Sequence, residues 1–235
     1  MVEGESPMNS REKILGRIRE ALQVKAPMPG HHGEAHAHPA QTNVDGIRHW
    51  LPKVGANWEQ QKDLFAQNSV ALKTEFKVVA NAAAAVAEIK RVAAAGKWKR
   101  IAAHRTPLLT EVASGVGLDT LWTEKGYAKQ DLESCDGGIS ACEALVAQTG
   151  SVMVTTQSSG GRALSVLPPH HIVVATREQL VPDLAAAFEL VRRKYNGNFP
   201  SAMSFITGPS RTGDIERILV LGAHGPKQLT VLLIA

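Results

Sequence analysis

Apolar and polar positions along this chain predict a lone amphipathic helix, a linker, and then strands and helices in turn. Over residues 10–22, Ile14, Leu15, Ile18 and Leu22 share one face, the 3.6-residue period of an amphipathic helix, with Ser10 placed to cap it. Residues 25–45 have no such period and are rich in Pro, Gly and His, which predicts a linker. A helical pattern covers residues 50–73, with Leu64 and Leu72 among its apolar positions, and a short strand follows at 76–80. Asn81 then caps an alanine-rich helix to about Ala95, which Gly96 stops. Residues 100–104 form the next strand, Thr106-Pro107 opens a short helix, and a weaker strand lies near Leu121-Trp122. Over 136–150 a glycine turn leads into a helix that stops at Thr149-Gly150. Strands at 151–156 and 168–175 flank a glycine loop and the apolar stretch 164–167, with the prolines of the second kept outside the ladder. A helix from Pro182 to Lys194 and apolar strands at 203–206, 218–221 and 229–234 complete the pattern.

Strands alternating with helices from Phe76 to Pro182 predict an α/β sandwich with a largely parallel sheet. The last two strands lie close in sequence, which predicts an antiparallel pair at one side. The expected organisation is a helix and His/Pro-rich linker over 1–45, then an α/β domain over 46–235. The N-terminal helix either packs on another subunit, as a homo-oligomer would require, or folds back on its own domain.

Three of the buried strands run into glycine turns that carry a cationic or titratable side chain. The strand at 151–156 ends in Gln157-Ser158-Ser159-Gly160-Gly161-Arg162. The strand at 203–206 ends in Thr207-Gly208-Pro209-Ser210-Arg211-Thr212, and the one at 218–221 in Gly222-Ala223-His224-Gly225-Pro226. Glycine lets a backbone approach a ligand and take positive φ. Successive amides in such a turn favour anions, and arginine adds a fork suited to carboxylate or phosphate. In open α/β sheets the loops at the carboxyl ends of strands line the ligand crevice. That rule predicts one pocket in which Ser158, Gly160, Gly161 and Arg162 meet Gly208, Ser210, Arg211, Thr212 and Gly225. The plainer alternative is a set of tight turns with solvated polar residues.

Individual residues keep two readings each. Arg162 and Arg211 are either ligand contacts or structural ion pairs. His224 is either a general acid–base, since imidazole titrates near neutral pH, or a histidine hydrogen-bonded in its turn. Asp214 and Glu216, two apart and on one face if the segment is extended, either bind a metal or transfer a proton, or Asp214 instead caps the amides after Thr212. His171 sits inside an apolar strand and reads as a core histidine with a partner. Ser210 and Thr212 are hydroxyl donors with no base beside them in sequence.

Composition narrows the classes. Apolar content of 44% and charged content of 20% are those of a soluble globular protein. No apolar run approaches the ~20 residues of a membrane span. The start, Met1-Val2-Glu3-Gly4-Glu5-Ser6-Pro7, lacks a secretory pattern, so a cytoplasmic location is expected. The formal charge of +4, from 26 basic and 22 acidic residues, is mild and scattered, unlike the concentrated charge of nucleic-acid binders. Cys135 and Cys142 neither build a disulfide framework nor supply the four thiolates of an iron–sulfur cluster. His31, His32, His36 and His38 in the linker have nothing to orient them as a metal site. No dinucleotide fingerprint, Walker loop or nucleophile elbow is present, and the sequence names no cofactor.

Four ordered motifs nevertheless carry a resemblance. Thr149-Gly150-Ser151-Val152-Met153-Val154 is followed by Leu167-Pro168-Pro169-His170-His171-Ile172-Val173-Val174. Then come Ile206-Thr207-Gly208-Pro209-Ser210-Arg211-Thr212-Gly213-Asp214-Ile215-Glu216 and Val220-Leu221-Gly222-Ala223-His224-Gly225-Pro226. Over roughly residues 76–235 this resembles the lactate-utilization protein C family, also called the LUD domain. The resemblance implies a sugar-phosphate-isomerase/CoA-transferase-like α/β fold. It also implies work beside an iron–sulfur subunit and a cysteine-rich subunit in the oxidation of lactate to pyruvate. The chain would then carry no cluster itself and would bind a small anion or phosphorylated cofactor. Where the family usually writes Glu-Thr-Gly, this chain has Gln148-Thr149-Gly150; an amide there keeps a hydrogen bond but offers no carboxylate nucleophile. The alternatives are a stand-alone isomerase, a CoA-dependent or cyclo-ligase-like enzyme, or a non-catalytic metabolite-binding module.

Overall fold

Four helices start by one device in the computed structural model, which describes residues 10–23, 52–212, 220–222 and 224–235. Asn57, Asn81, Thr106 and Asp183 each adopt an extended backbone and accept, through the side chain, an amide hydrogen bond from the first helical turn, satisfying a donor that the helix itself leaves open. The chain divides into two compact units, Met1–Leu51 and Pro52–Ala235. In the first, α1 (Ser10–Gln23) is amphipathic, with Ile14, Leu15 and Ile18 exposed. The histidines at 31, 32, 36 and 38 lie outside the described residues.

In the second unit the order is α2 (Trp58–Leu72), β1 (Glu75–Val79), α3 (Ala82–Gly96), β2 (Arg100–Ala103), α4 (Pro107–Val116), β3 (Asp119–Trp122), α5 (Lys129–Glu133), β4 (Gly137–Ser140), β5 (Ala144–Val146) and β6 (Ser151–Thr155). Then follow β7 (His170–Thr176), β8 (Leu180–Val181), α6 (Leu184–Tyr195), β9 (Met203–Ile206), β10 (Arg211–Thr212), β11 (Val220–Leu221) and β12 (Gln228–Ile234). Six strands make a parallel sheet in the order β1-β12-β7-β4-β2-β3. Its central strands are apolar on both faces, as a parallel sheet covered on both sides requires. Ile101, Ala103, Ile139, Ile172, Val174 and Leu232 pack under α3 and α4. Val173, Ala175, Val231 and Leu233 face the other way, onto Phe65 of α2 and onto Leu145, Val152 and Val154. Those last three belong to a second sheet, β8-β5-β6-β9, whose far face buries Ala144, Val146 and Met153 under Ala187, Val191 and Tyr195 of α6. The result is a layered α/β sandwich.

Several sequence expectations are corrected. The helix expected over 136–150 is instead β4 and β5, because every residue from Gly137 to Ser140 and from Cys142 to Ala147 is buried and no helix face remains polar. The expected antiparallel pair at the end is also different. β11 pairs antiparallel with β10, while β12 inserts parallel between β1 and β7. Gly96 is the last residue of α3, and Lys97 takes the left-handed position that ends it. Pro182 precedes the cap of α6 rather than opening the helix. The helix expected from residue 50 starts at Trp58.

Candidate functional site

β6 and β9 pair antiparallel, with Val152 opposite Ile206 and Thr155 opposite Met203. The loops that follow them therefore leave opposite ends of the pair, and the predicted convergence of three glycine turns does not occur. The carboxyl-end rule holds for strands that run parallel, and β9 does not run with β6.

Two of the turns do meet. The Ser210 amide donates to the Pro226 carbonyl at 2.9 Å, and the Gly222 amide donates to the Ser210 carbonyl at 3.0 Å. Gly225 lies against Ser210, and Gly208 takes φ +89° beside the Leu72 carbonyl. The Arg211 guanidinium donates to that same carbonyl. The Lys227 backbone amide donates to the Pro169 carbonyl at 2.8 Å, which sets this cluster at the amino ends of β7 and β12. His224 is exposed in it. Asp214 lies outside the described residues, and of Thr212 only the backbone pairing with Val220 is described.

The third turn sits at the other end of the parallel sheet, where β2 and β3 finish. Gly160 takes φ +63° and its backbone is pressed so close that a Cβ would overlap the His104 ring and Thr123 Oγ1. His104 Nδ1 lies 2.9 Å from Thr123 Oγ1 and 2.9 Å from Glu124 Oε1. Glu124 also accepts from the Arg105 amide, and the Arg105 guanidinium stands 4.2 Å over the Trp122 ring, a favourable cation–π contact. Gly160→Ala is expected to cost about 1–3 kcal/mol from left-handed strain and overlap. Thermal or urea denaturation reads this directly, and an unchanged midpoint would contradict the packing.

On its other side this loop borders a cavity of about 110 Å³ lined by Thr155, Thr156, Ser159, Arg162, Ser165 and Ser204 among others. That is the liquid volume of about four waters, the size of a small hydroxy- or keto-acid. Arg162 is exposed at its rim, and among the described residues no carboxylate pairs with it. The loop is hung from a buried network. Glu143, 2% exposed, accepts from Tyr195 at 2.7 Å and from Thr155 at 2.8 Å through Oε1, and from Lys194 at 2.6 Å through Oε2. Burial pushes the Glu143 carboxyl up. The three donors, led by Lys194, outweigh it and hold the group below its ordinary range. Thr155 Oγ1 in turn accepts from the amides of Gln157 and Ser158 at 3.2 and 3.1 Å, and Ser158 Oγ accepts from the Thr155 amide at 2.8 Å. An ionised Glu143 thus fixes the start of the loop that ends in Arg162.

The structure brings Ser158, Gly160, Gly161 and Arg162 together and separates them from Gly208, Ser210, Arg211 and Gly225. Sequence reasoning missed His104, Thr123, Glu124, Glu143 and Tyr195. His104 was findable, since it ends the apolar run of β2 just as the glycine turns end theirs. Glu143 was hidden in the stretch read as a helix. Among the described residues no group of three or more His, Cys, Asp or Glu side chains is placed to hold a metal ion. Both cysteines are buried and free, and burial pushes the Cys135 thiol up to about 11. Among the same residues no helix is long and apolar enough to cross a membrane.

Comparison with known proteins adds three findings. Residues 62–234 match the family model described as the LUD domain. The chain is similar to lactate utilization protein C of Oceanobacillus iheyensis, 35% identical over 104 residues, or 43% of this chain and 45% of that one. The Bacillus subtilis protein of the same name is 34% identical over 44% of each chain. That of Deinococcus radiodurans is 31% identical over 51% of this chain and 56% of its own. The match thus spans about half the length of these curated relatives. The crystal structure of a DUF162 family protein from Deinococcus radiodurans superposes with a TM-score of 0.62 at 21% identity, over 77% of this chain and all of that one. At that identity the likeness concerns the fold.

Proposed function

The chain belongs to the LUD domain family, and from that membership we propose that it serves lactate utilization by binding a small carboxylate at the cavity beside Arg162. The observation that carries this reading is a guanidinium free of carboxylate partners among the described residues, at the rim of a small cavity lined by serines and threonines together with Val154, Val166 and Ala202. Arg162 meets the carboxylate in a two-pronged contact. Thr155, Thr156, Ser159, Ser165 and Ser204 surround the rest of a molecule the size of lactate or pyruvate. The names of the relatives support lactate utilization as the setting. The sequence motifs support a subunit that works beside cluster-bearing partners.

In this proposal His224, set with the other glycine turns at the amino ends of β7 and β12, takes no part at the Arg162 cavity, and His104 supports the loop that carries Arg162. The His104 imidazole lies against the Glu124 carboxylate, an arrangement that orients the ring. It packs on the Gly160 backbone and so steadies the loop without lining the cavity. Gln148, where the family usually has Glu, is partly exposed and reaches the Pro52 carbonyl at 3.4 Å, so its amide serves structure and not acid–base chemistry.

Deleting the gene from its source organism and growing the strain on lactate as sole carbon source tests the proposal. Growth is expected to fail, to return with the wild-type gene, and not to return with Arg162→Ala. Normal growth of the deletion strain would overturn it. Turnover of lactate by the purified chain with an electron acceptor and no partner would replace the subunit reading with that of a stand-alone enzyme.

A further inference from the structure

The glycine turns that do not reach Arg162 build something else. At the amino ends of β1, β7 and β12 a cavity of about 310 Å³ is lined by Glu75, Arg91, Trp98, His170 and Gln228, with the last turn of α3 as its wall. A second, of about 160 Å³, shares Glu75, His170 and Gln228 and runs on to Lys73, Pro209 and Lys227. The first lies at the lower end of the range that takes small organic ligands.

One end of this cleft is aromatic and hydrogen-bonding. Trp98 is seated where Gly96 and Gly137 lack a Cβ, since a side chain at either would overlap its ring. His170 stands edge-on to it, with ring centroids 5.3 Å apart at 81°. His170 is 6% exposed, and its Nε2 lies 2.8 Å from Thr230 Oγ1. Thr230 Oγ1 donates to Glu75 at 3.1 Å, and Glu75 is held from the other side by Arg91 at 2.9 Å. This chain fixes the polar wall against which a ring would lie.

The other end is cationic. Arg91 is engaged by Glu75 and Glu88. Lys73 and Lys227 are exposed, and no carboxylate pairs with either among the described residues. Both owe their place to the glycine turns. Gly208, at φ +89°, lets its loop close on the Leu72 carbonyl next to Lys73, and the stem of Lys227 lies across Gly222 where a Cβ would overlap it. Two ammonium groups that pair with no carboxylate of the described residues at one end, and an indole with polar edges at the other, select a ligand that is flat at one end and multiply anionic at the other.

We propose that this cleft binds a phosphorylated nucleoside, with its base against Trp98 and His170 and its phosphates at Lys73 and Lys227. Aromatic side chains stack any base, and ammonium groups bind phosphate as point charges. The site is at the opposite end of the parallel strands from Arg162, so it stands or falls independently of the carboxylate site.

Isothermal titration of the whole chain with AMP, ADP and inorganic pyrophosphate tests it. ADP is expected to bind more tightly than AMP, and pyrophosphate, which has no base, more weakly than ADP. Lys73→Gln and Lys227→Gln, both surface changes, should each weaken ADP by about tenfold, in line with a charge-assisted contact. Trp98→Leu should weaken ADP and leave pyrophosphate unchanged. If that variant fails to fold, the lysine pair decides. No binding of any of the three at millimolar concentration, an unchanged affinity in both lysine variants, or pyrophosphate binding as tight as ADP would overturn the proposal. Loss of ADP binding in Arg162→Ala instead would also overturn it, by moving the nucleotide to the other end of the sheet.

Discussion

Replacing Glu143 with alanine is expected to cost about 2–6 kcal/mol of folding free energy, about 1–3 kcal/mol for each of the two buried hydroxyls left without their acceptor. Tyr195 and Thr155 would each lose the acceptor they donate to at 2.7 and 2.8 Å. Both are at least nine-tenths buried, at 8% and 2% exposure, so neither hydroxyl regains its bond from bulk water. A buried donor left without a partner costs about 1–3 kcal/mol. Lys194, whose side chain is 52% exposed, turns back to solvent and adds little. Glu143→Gln keeps an oxygen for the two hydroxyls and should cost less than half as much. The loop from Gln157 to Arg162 hangs on Thr155, so the alanine variant should also lose ligand affinity out of proportion to its lost stability. Because the folded carboxyl is held below its ordinary value, its contribution is present above about pH 4.5 and is lost as pH falls through the lowered value. Urea denaturation at pH 7 reads the main effect, and an alanine variant within about 0.5 kcal/mol of wild type, the usual scale of an inconsequential surface change, would contradict this account.

The second large effect is pH-dependent and comes from His171. Its Nε2 lies 2.8 Å from Ser140 Oγ, both residues are fully buried, and Nδ1 has no partner. Burial, and then the neighbouring His170, push the imidazole down to about 3. The unfolded chain takes up a proton below about pH 6.5, whereas the folded one refuses it until about pH 3. Stability from this residue is therefore complete above pH 6.5 and is lost as pH falls through that window. The loss is about 1.4 kcal/mol per pH unit, or about 2 kcal/mol by pH 5. Burial lowers His170 as well, which adds in the same direction. Comparing urea stability at pH 7.5 and pH 5 in wild type and in His171→Asn isolates the effect, since the other titrating groups are common to both. The asparagine variant should be less stable at both pH values but lose about 2 kcal/mol less between them. Equal losses, or a His171 ring proton that titrates near pH 6 by NMR, would show the ring is not held neutral.

Much of the fold was legible where local signals and tertiary burial agree. Asn81 caps the helix it was expected to cap, Thr106-Pro107 opens the next as expected, and the strands from 76 to 122 fall where the apolar runs placed them. The stretch Ala141-Cys142-Glu143-Ala144-Leu145-Val146-Ala147-Gln148 misled because its residues are good helix formers. A short, mostly apolar run does not separate helix from buried strand, and here two sheets close over it. The misreading hid Glu143, the buried carboxylate on which the Arg162 loop depends. The site was half legible for a similar reason. Glycine followed by a cation was a real sign of a built loop in each case. Which end of the sheet each loop occupies depends on strand direction, and sequence does not carry it. β9 turns back beside β6, and that single reversal sends Gly208, Ser210 and Arg211 to the amino ends.

The most direct test of the carboxylate site is equilibrium binding of lactate and pyruvate to three proteins: wild type, Arg162→Ala and Arg211→Ala. Arg162→Ala should weaken binding by about 1.5–3 kcal/mol, as loss of a charge-assisted contact does. Arg211→Ala should leave it unchanged, because that guanidinium is spent on the Leu72 carbonyl at the far end of the strands. Loss of binding in Arg211→Ala with none in Arg162→Ala would contradict the assignment of the site.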